Sequence, residues 1–176
     1  MKTMMIKTLT AAAAIALGTT AFAQDVTYSA SYKSVSMYGG ALKPNEITAS
    51  ETPDGFKFVF AGDPVENPCD KAIQMYCDVY KLKPGKYILN FLIKGTSPAT
   101  SVVAQLTGKP KGDDKAPNVK IGEFKTFNLT GDWQEAALPF TIEDPMQHGY
   151  FILRVGSVPK GGEITIKPDL AITPAD

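Results

Sequence analysis

A stretch of strict alternation in the middle of the chain constrains the fold more than any other feature. Large apolar side chains recur there at every second position: Tyr87, Leu89, Phe91 and Ile93. This period of two places them on one face of a β-strand, which we predict to be a central strand of a sheet. Pro84-Gly85 precedes the strand and predicts a type II turn, because proline presets φ at the first central position and glycine accepts a positive φ at the second.

Shorter alternating segments occur along the rest of the chain. Three phenylalanines share one face of residues 56–60, and three apolar residues share one face of residues 138–142. Pro139 restricts the second strand to a sheet edge or a bulge, since it has no N–H group to donate. We count roughly nine or ten short strands separated by turn residues, and no long helical pattern after the first residues. The expected fold class is therefore all-β, an antiparallel β-sandwich.

Residues 1–23 have the layout of a bacterial secretory signal peptide. Lys2 and Lys7 come first, an apolar run follows over residues 9–17, and Ala21-Phe22-Ala23 is a small-x-small cleavage site. The apolar run is too short to cross a bilayer and no second long run follows it, so we expect no membrane span. We expect residues 24–176 to form a single β-sandwich domain that is secreted or periplasmic.

The charge balance argues against a nucleic-acid partner. The 18 basic and 18 acidic residues cancel in the full chain, and loss of the two lysines in residues 1–23 would leave a net charge of −2. Arg154 is the only arginine of the chain. Domains that bind nucleic acids carry basic patches with phosphate-reading groups, so we expect no such partner.

Two cysteines, Cys69 and Cys77, lie in the expected mature chain. In an exported protein an even pair close in sequence favours a disulfide, which here would pin a loop to a strand predicted over residues 75–80. A redox pair or metal ligands are the alternatives. The spacing is not Cys-x-x-Cys and the only histidine, His148, is distant in sequence, so we expect no metal site.

Three segments, taken in order, resemble a known family. Val79–Gly95 resembles the "leucine, x, proline-glycine, x-tyrosine, alternating apolar, lysine-glycine" strand of jelly-roll carbohydrate-binding modules with the galactose-binding-like fold. Phe127–Glu135 is similar to that family's "threonine, x, x, tryptophan-glutamine" segment, and Tyr150–Gly156 followed by Gly161–Ile166 is similar to its last two strands. The resemblance covers about Ile73–Ile172 and implies a jelly-roll sandwich whose ligand is a carbohydrate.

The resemblance also implies a structural calcium ion and a role for Trp133. Asp25–Ser34 lacks the asparagine-glycine-x-phenylalanine-glutamate stretch that helps to hold calcium in such modules. The last strand of such modules commonly carries an aspartate before an asparagine or aspartate, whereas Asp169 is followed by Leu170. We therefore expect no cofactor, with calcium as the alternative. The position that Trp133 matches implies that its ring packs the sandwich at the start of a strand.

Strand alternation separates an inward set of residues from an outward set. The residues predicted to face the core are Met75, Cys77, Val79, Leu89, Phe91, Val102, Ala104, Leu106 and Leu153. The outward set combines aromatic rings with amide, carboxylate and guanidinium groups: Tyr76, Asp78, Tyr80, Asn90, Gln105 and Arg154. Saccharides need both, because their hydroxyls require planar hydrogen-bond partners and their C–H faces pack on rings. We take the outward set as the candidate carbohydrate-binding site; an ordinary solvated sheet face is the alternative.

The predicted function is non-catalytic binding of a poly- or oligosaccharide on an exposed sheet face by an exported protein. The alternative is a structural or adhesive sandwich that contacts another extracellular protein. A small hydrolase is a third hypothesis, which would need two carboxylates about 5–10 Å apart in a cleft. The sequence singles out no such pair, and His148 is expected to be exposed in a loop without a catalytic partner.

Overall fold

The structure, a computed structural model, describes residues 26–29, 35–96, 100–113 and 115–175. The predicted signal peptide lies outside the described residues. Two short 3-10 turns, Pro68–Asp70 and Val79–Lys81, lie on either side of the fifth strand. The described part of the chain forms twelve strands: β1 (Val26–Ser29), β2 (Val35–Tyr38), β3 (Ile47–Thr52), β4 (Gly55–Phe60), β5 (Ala72–Cys77), β6 (Gly85–Gly95), β7 (Ser101–Pro110), β8 (Val119–Asn128), β9 (Gln134–Ile142), β10 (Met146–Arg154), β11 (Glu163–Ile166) and β12 (Asp169–Pro174).

The strands form two sheets that enclose one core. The larger sheet has seven strands in the order β1-β12-β6-β11-β4-β3, with β9 paired to β6 as well. The smaller sheet has five strands in the order β2-β5-β10-β7-β8. The strand pairs of the described residues are antiparallel. The predicted antiparallel β-sandwich of the jelly-roll kind is confirmed.

Strand β6, which the alternating pattern predicted, is central to the larger sheet. It pairs with β9 over residues 85–93, and also with β12 over residues 87–90 and with β11 over residues 93–95. Gly85 has φ +159° and is already extended, so the chain enters β6 through a bend and the predicted type II turn is wrong. The four side chains predicted to face inward are all buried: Tyr87, Leu89, Phe91 and Ile93.

Aromatic rings from both sheets meet in the middle of the core. The ring of Phe91 on β6 lies 4.8 Å from that of Phe151 on β10 and 5.6 Å from that of Phe127 on β8, measured between centroids. Phe91 therefore ties the larger sheet to the smaller one. All nine residues that the sequence predicted to face the core are buried.

The predicted effect of Pro139 on strand pairing agrees with the structure. Pro139 lies in β9 opposite Ile88 of β6, and β9 pairs with β6 alone among the described strands. An edge strand tolerates proline because one side of its backbone needs no partner.

The predicted disulfide is wrong, because Cys69 and Cys77 are both free. Strand β5 begins at Ala72 and not at Met75, so an extended strand separates the two cysteines. Its six residues span about 17–20 Å, whereas the Cα atoms of a disulfide lie about 4.4–6.8 Å apart. Cys77 points into the core, where burial raises the pKa of its thiol to about 12, and Cys69 is exposed.

Gly55 starts β4 at a place where only glycine fits. Its φ is +134°, and a Cβ atom there would lie 2.3 Å from the carbonyl oxygen of Ile166. We expect Gly55→Ala to lower the free energy of unfolding by about 1–3 kcal/mol, because the new methyl group adds both backbone strain and a clash. Urea denaturation measures this loss. Gly131→Ala is the matched control, since a Cβ atom at Gly131 meets nothing within 4 Å; equal losses would contradict the explanation.

A buried ion pair fixes the loop that leads into β5. The ammonium group of Lys71, which is 4% exposed, lies 3.1 Å from Oε2 of Glu46 and donates to the carbonyl of Asp63 at 2.7 Å. The backbone N–H of Lys43 also donates to Oε2 of Glu46, at 3.0 Å. These bonds, the one from Lys43 first, lower the pKa of the Glu46 carboxyl below its ordinary 4.5.

The pair predicts a pH dependence of stability. A lowered pKa in the folded state means that the carboxylate stabilises the fold above about pH 4.5, and that this contribution is lost as pH falls through the lowered value. We expect Glu46→Gln to be less stable than the natural protein at pH 7, and the difference to shrink below pH 4.5. Thermal denaturation at a series of pH values checks this. A difference that does not change with pH would contradict it.

Candidate functional site

The strand register brings part of the predicted site together on the outer side of the smaller sheet. Tyr76 on β5 lies opposite Tyr150 on β10, and Arg154 lies four residues further along β10. Between these positions, Gln105 on β7 lies opposite Ile152 of β10. Residues directly opposite each other in antiparallel strands point to the same side. Tyr76, Gln105 and Arg154 therefore point to the same side of the sheet, but Gln105 is only 4% exposed, so the expectation that it faces solvent is corrected.

Two further aromatic residues extend this surface toward its edges. Tyr38 on β2 lies opposite Ala72, a buried residue of β5 on the same side of the strand as Gln74 and Tyr76, and Phe124 lies in β8 where the register with β7 shifts. Tyr38 is 37% exposed and Phe124 is 48% exposed. We call the whole surface the aromatic face and define it by seven residues: Tyr38, Gln74, Tyr76, Gln105, Phe124, Tyr150 and Arg154.

Neutral groups hold Arg154 in place at one end of the aromatic face. Its Nε and Nη2 donate to Oε1 of Gln105 at 3.2 and 2.8 Å, and its Nη1 donates to the carbonyl of Cys69 at 3.4 Å. Its guanidinium carbon lies 5.6 Å from the ring centroid of Phe124, a cation–π distance. Burial raises the pKa of the Tyr38 hydroxyl, and the nearby charge of Arg154 opposes that shift. The guanidinium group is thus oriented before any ligand binds.

Rings cluster at the other end of the aromatic face. The centroids of Tyr76 and Tyr150 are 5.9 Å apart in an edge-to-face arrangement, and His148 lies 5.3 Å from Tyr150. His148 is half-buried, so the expectation that it is simply exposed is corrected. Burial, and next the Asp78 carboxylate, raise the pKa of the Tyr76 hydroxyl. Arg154 lies four positions beyond Tyr150 along β10, a distance of about 13 Å.

Asp78 and Tyr80 lie beside the aromatic face and not on it. Strand β5 ends before Asp78 and Val79–Lys81 forms a 3-10 turn, so strand alternation does not extend to them as predicted. Asp78 forms an ion pair with Lys81, whose ammonium group lies 5.4 Å from the ring centroid of Tyr80. Both residues directly follow the end of β5, one turn beyond Tyr76, so they lie next to that end of the face.

Asn90 lies on the opposite side of the molecule from the aromatic face. It belongs to β6 of the larger sheet, between the inward-facing Leu89 and Phe91, and so points out on the far side of the core. Its Nδ2 donates to Oγ1 of Thr173 at 3.3 Å, and it lines a cavity of about 500 Å³ there. The expectation that Asn90 joins the other five predicted residues is therefore corrected.

Trp133 is half-buried at the start of β9 and is not part of the core. The ammonium groups of Lys94 and Lys167 lie 4.6 and 4.7 Å from its ring centroid. The packing role that the resemblance implied is therefore replaced by cation–π contacts at one end of the larger sheet.

Comparisons with known proteins identify the fold. No protein-family model and no curated protein match the chain. The apo structure of BiXyn10A CBM1 matches with a TM-score of 0.60 and 14% identity, over 88% of this chain and 99% of that one. The N-terminal cellulose-binding domain of β-1,4-glucanase C from Cellulomonas fimi matches with a TM-score of 0.56 and 12% identity, over 88% and 97%. The chain has the β-sandwich fold of carbohydrate-binding modules.

A third match comes from a larger enzyme. The CBM22-1 and GH10 modules of xylanase 10B from Clostridium thermocellum, solved with xylohexaose, match with a TM-score of 0.55 and 12% identity. The match covers 86% of this chain and 28% of that one. At these identities the likeness is one of fold, and at that level the resemblance drawn from the sequence is confirmed.

The matching structures share only the fold with this chain, so its binding site is inferred from its own residues. None of the helical segments that the structure describes is long and apolar enough to cross a membrane. Nor do the described residues gather three His, Cys, Asp or Glu side chains that could hold a metal ion.

Sequence reasoning missed Tyr38, Phe124 and Tyr150. The outward orientation of Tyr150 could have been predicted, because Tyr150 lies three positions from the inward-facing Leu153 on the same strand. Tyr38 precedes Gly39-Gly40, which hid the end of β2, and Phe124 lies in the irregular part of β8 between Ile121 and Lys125. Ile121 and Lys125 lie opposite the inward-facing Leu106 and Ala104, so the alternation of β8 continues through the irregularity and could have placed Phe124 on the outward side.

Proposed function

We propose that the aromatic face binds a poly- or oligosaccharide and that the protein is an exported, non-catalytic binding module. The observation that supports this most is the presence, on one sheet surface, of four aromatic rings together with a guanidinium group that the buried amide of Gln105 holds in place. Rings offer apolar surfaces for the C–H faces of sugars, and planar polar groups offer hydrogen bonds to hydroxyls. The rings are held by their strands, so little conformational entropy is lost when a ligand binds.

Two kinds of neighbour support the choice of a saccharide. One matching structure is named as a cellulose-binding domain, and another was solved with xylohexaose. Both share the sandwich fold with this chain. Because the identities are low, these neighbours show the fold alone, and we propose a saccharide as the ligand class of this chain as well.

Export and lack of catalysis are parts of the same proposal. The layout of residues 1–23 supports export. Glycoside hydrolysis needs two carboxylates about 5–10 Å apart. The outward strand positions that the structure describes in the smaller sheet carry no carboxylate, and Glu123, in the irregular part of β8, is ion-paired with Lys120 at 2.9 Å.

Isothermal titration calorimetry against a polysaccharide panel tests the proposal. The panel should include cellulose oligomers, xylan, β-glucan, mannan, polygalacturonate and alginate. We expect measurable binding of at least one polymer and no release of reducing sugar during long incubation. Failure of the folded protein to bind any of them would contradict the proposal and favour the adhesive alternative, in which Tyr38 and Phe124 contact another protein.

A further inference from the structure

Arg154 is a half-buried cation without an ion-pair partner among the described residues. It is the only arginine, and the ion pairs among the described residues do not include it. Its hydrogen-bond partners are an amide oxygen of Gln105 and the backbone carbonyl of Cys69. A half-buried charge loses hydration, and neutral oxygens return only part of that free energy. An anion bound to Arg154 would compensate for more of the lost hydration free energy.

The guanidinium group has donors left for such an anion. Arginine has five N–H groups, and the contacts to Gln105 and Cys69 engage three of them. Within the described chain, one N–H on each terminal nitrogen remains without a protein acceptor. Two N–H groups in a rigid plane can bind the two oxygens of a carboxylate, which a lysine ammonium group cannot do.

Other outward strand positions of the smaller sheet also carry positive charges, like that of Arg154. Outward positions of the smaller sheet carry Arg154, Lys109 opposite His148 on β10, and Lys120 on β8. Lys120 is paired with Glu123, which lies in the irregular part of β8, and Asp78, beside the ring end of the aromatic face, is paired with Lys81. The described outward strand positions therefore carry positive charge, although the full chain has a net charge of zero. A local field of this kind favours an anionic ligand.

We propose that the aromatic face selects a saccharide that carries a carboxylate, with Arg154 binding the carboxylate of a uronic acid unit while the rings contact the sugar faces. This proposal rests on the proposed saccharide binding and adds the chemical class of the ligand. Gln105 and Cys69 orient the guanidinium group, and Phe124 covers one of its faces.

The test compares each uronate polymer with its own neutral derivative. Polygalacturonate and alginate oligomers are titrated at fixed ionic strength beside the same oligomers after reduction of their carboxyl groups. We expect at least tenfold tighter binding of one uronate than of its reduced form. Arg154→Gln should remove this preference, and Arg154→Lys should keep less than a third of it, because lysine keeps the charge and loses the planar pair of donors.

Two controls make the outcome decisive. Lys86→Gln removes one positive charge from the exposed start of β6 on the other sheet and should leave the preference unchanged. Circular dichroism melting of each variant shows whether it is folded. Dextran sulfate serves as a polyanion without uronate, and binding to it as tight as to the uronate would overturn the proposal.

The results separate this proposal from the one on which it rests. Equal affinity for a uronate and its reduced form, or binding of neutral polymers only, would overturn the uronate assignment and leave saccharide binding standing. Absence of binding to every polymer would overturn both. A uronate preference that survives Arg154→Gln would overturn the role of Arg154.

Discussion

Replacing Tyr76 and Tyr150 together by alanine is expected to weaken saccharide binding at least about a hundredfold. The two rings contact each other edge to face and form the most aromatic part of the aromatic face. Aromatic anchors at binding surfaces commonly contribute about 2 kcal/mol each, and each 1.4 kcal/mol is about tenfold in affinity. Titration calorimetry with the polymer that binds best in the panel measures the loss, and each single variant should account for about thirtyfold.

Trp133→Ala is the matched control for this experiment. It also removes a partly exposed aromatic ring, but from the larger sheet, where Lys94 and Lys167 contact the ring. We expect its affinity to stay within twofold of that of the natural protein. A loss at Trp133 as large as that at Tyr150 would place the binding surface on the larger sheet and contradict the assignment of the aromatic face.

The site illustrates what strand alternation can and cannot predict. Alternation specifies to which side of its sheet a side chain points, and it does so for Tyr76, Gln105 and Arg154, although Gln105 is buried on that side. It does not specify which sheet a strand joins, since that depends on pairing between distant segments. Asn90 was therefore placed correctly as outward, but on the wrong sheet. The prediction that Asp78 joins the sheet face is wrong for another reason: β5 ends before it, and a 3-10 turn follows.

The core was predictable because burial is a local signal in a β-sandwich. Each inward face is filled by every second residue of its strands, so the composition of a single strand reveals it. The disulfide was not predictable in this way. Closeness of Cys69 and Cys77 in sequence suggested closeness in space, yet the intervening residues form an extended strand and carry the two thiols apart. Only the start of β5, which sequence signals misplace by three residues, decides the question.

Phe91→Ala is expected to be among the most destabilising single changes in the chain. Phe91 is 4% exposed and packs against Phe127 and Phe151 of the facing sheet. Truncation removes apolar contacts from both sheets and leaves a cavity between them, for a loss of about 3–5 kcal/mol. The free energy of unfolding of domains of this size is about 5–15 kcal/mol, so the loss is a large fraction of the stability. Urea denaturation measures it, and thermal melting should shift down by roughly 10 °C or more.

Phe124→Ala is the matched control. It shows whether the stability loss at Phe91 comes from lost core packing or from removal of any phenyl ring. Phe124 has the same side chain but is 48% exposed on the aromatic face, where it contacts Arg154. Little apolar surface leaves water there on folding, so its truncation should cost less than about 1 kcal/mol. A cost at Phe124 equal to that at Phe91 would mean that β8 contributes to the core through its outer side, and would contradict the inward and outward assignment on which the aromatic face depends.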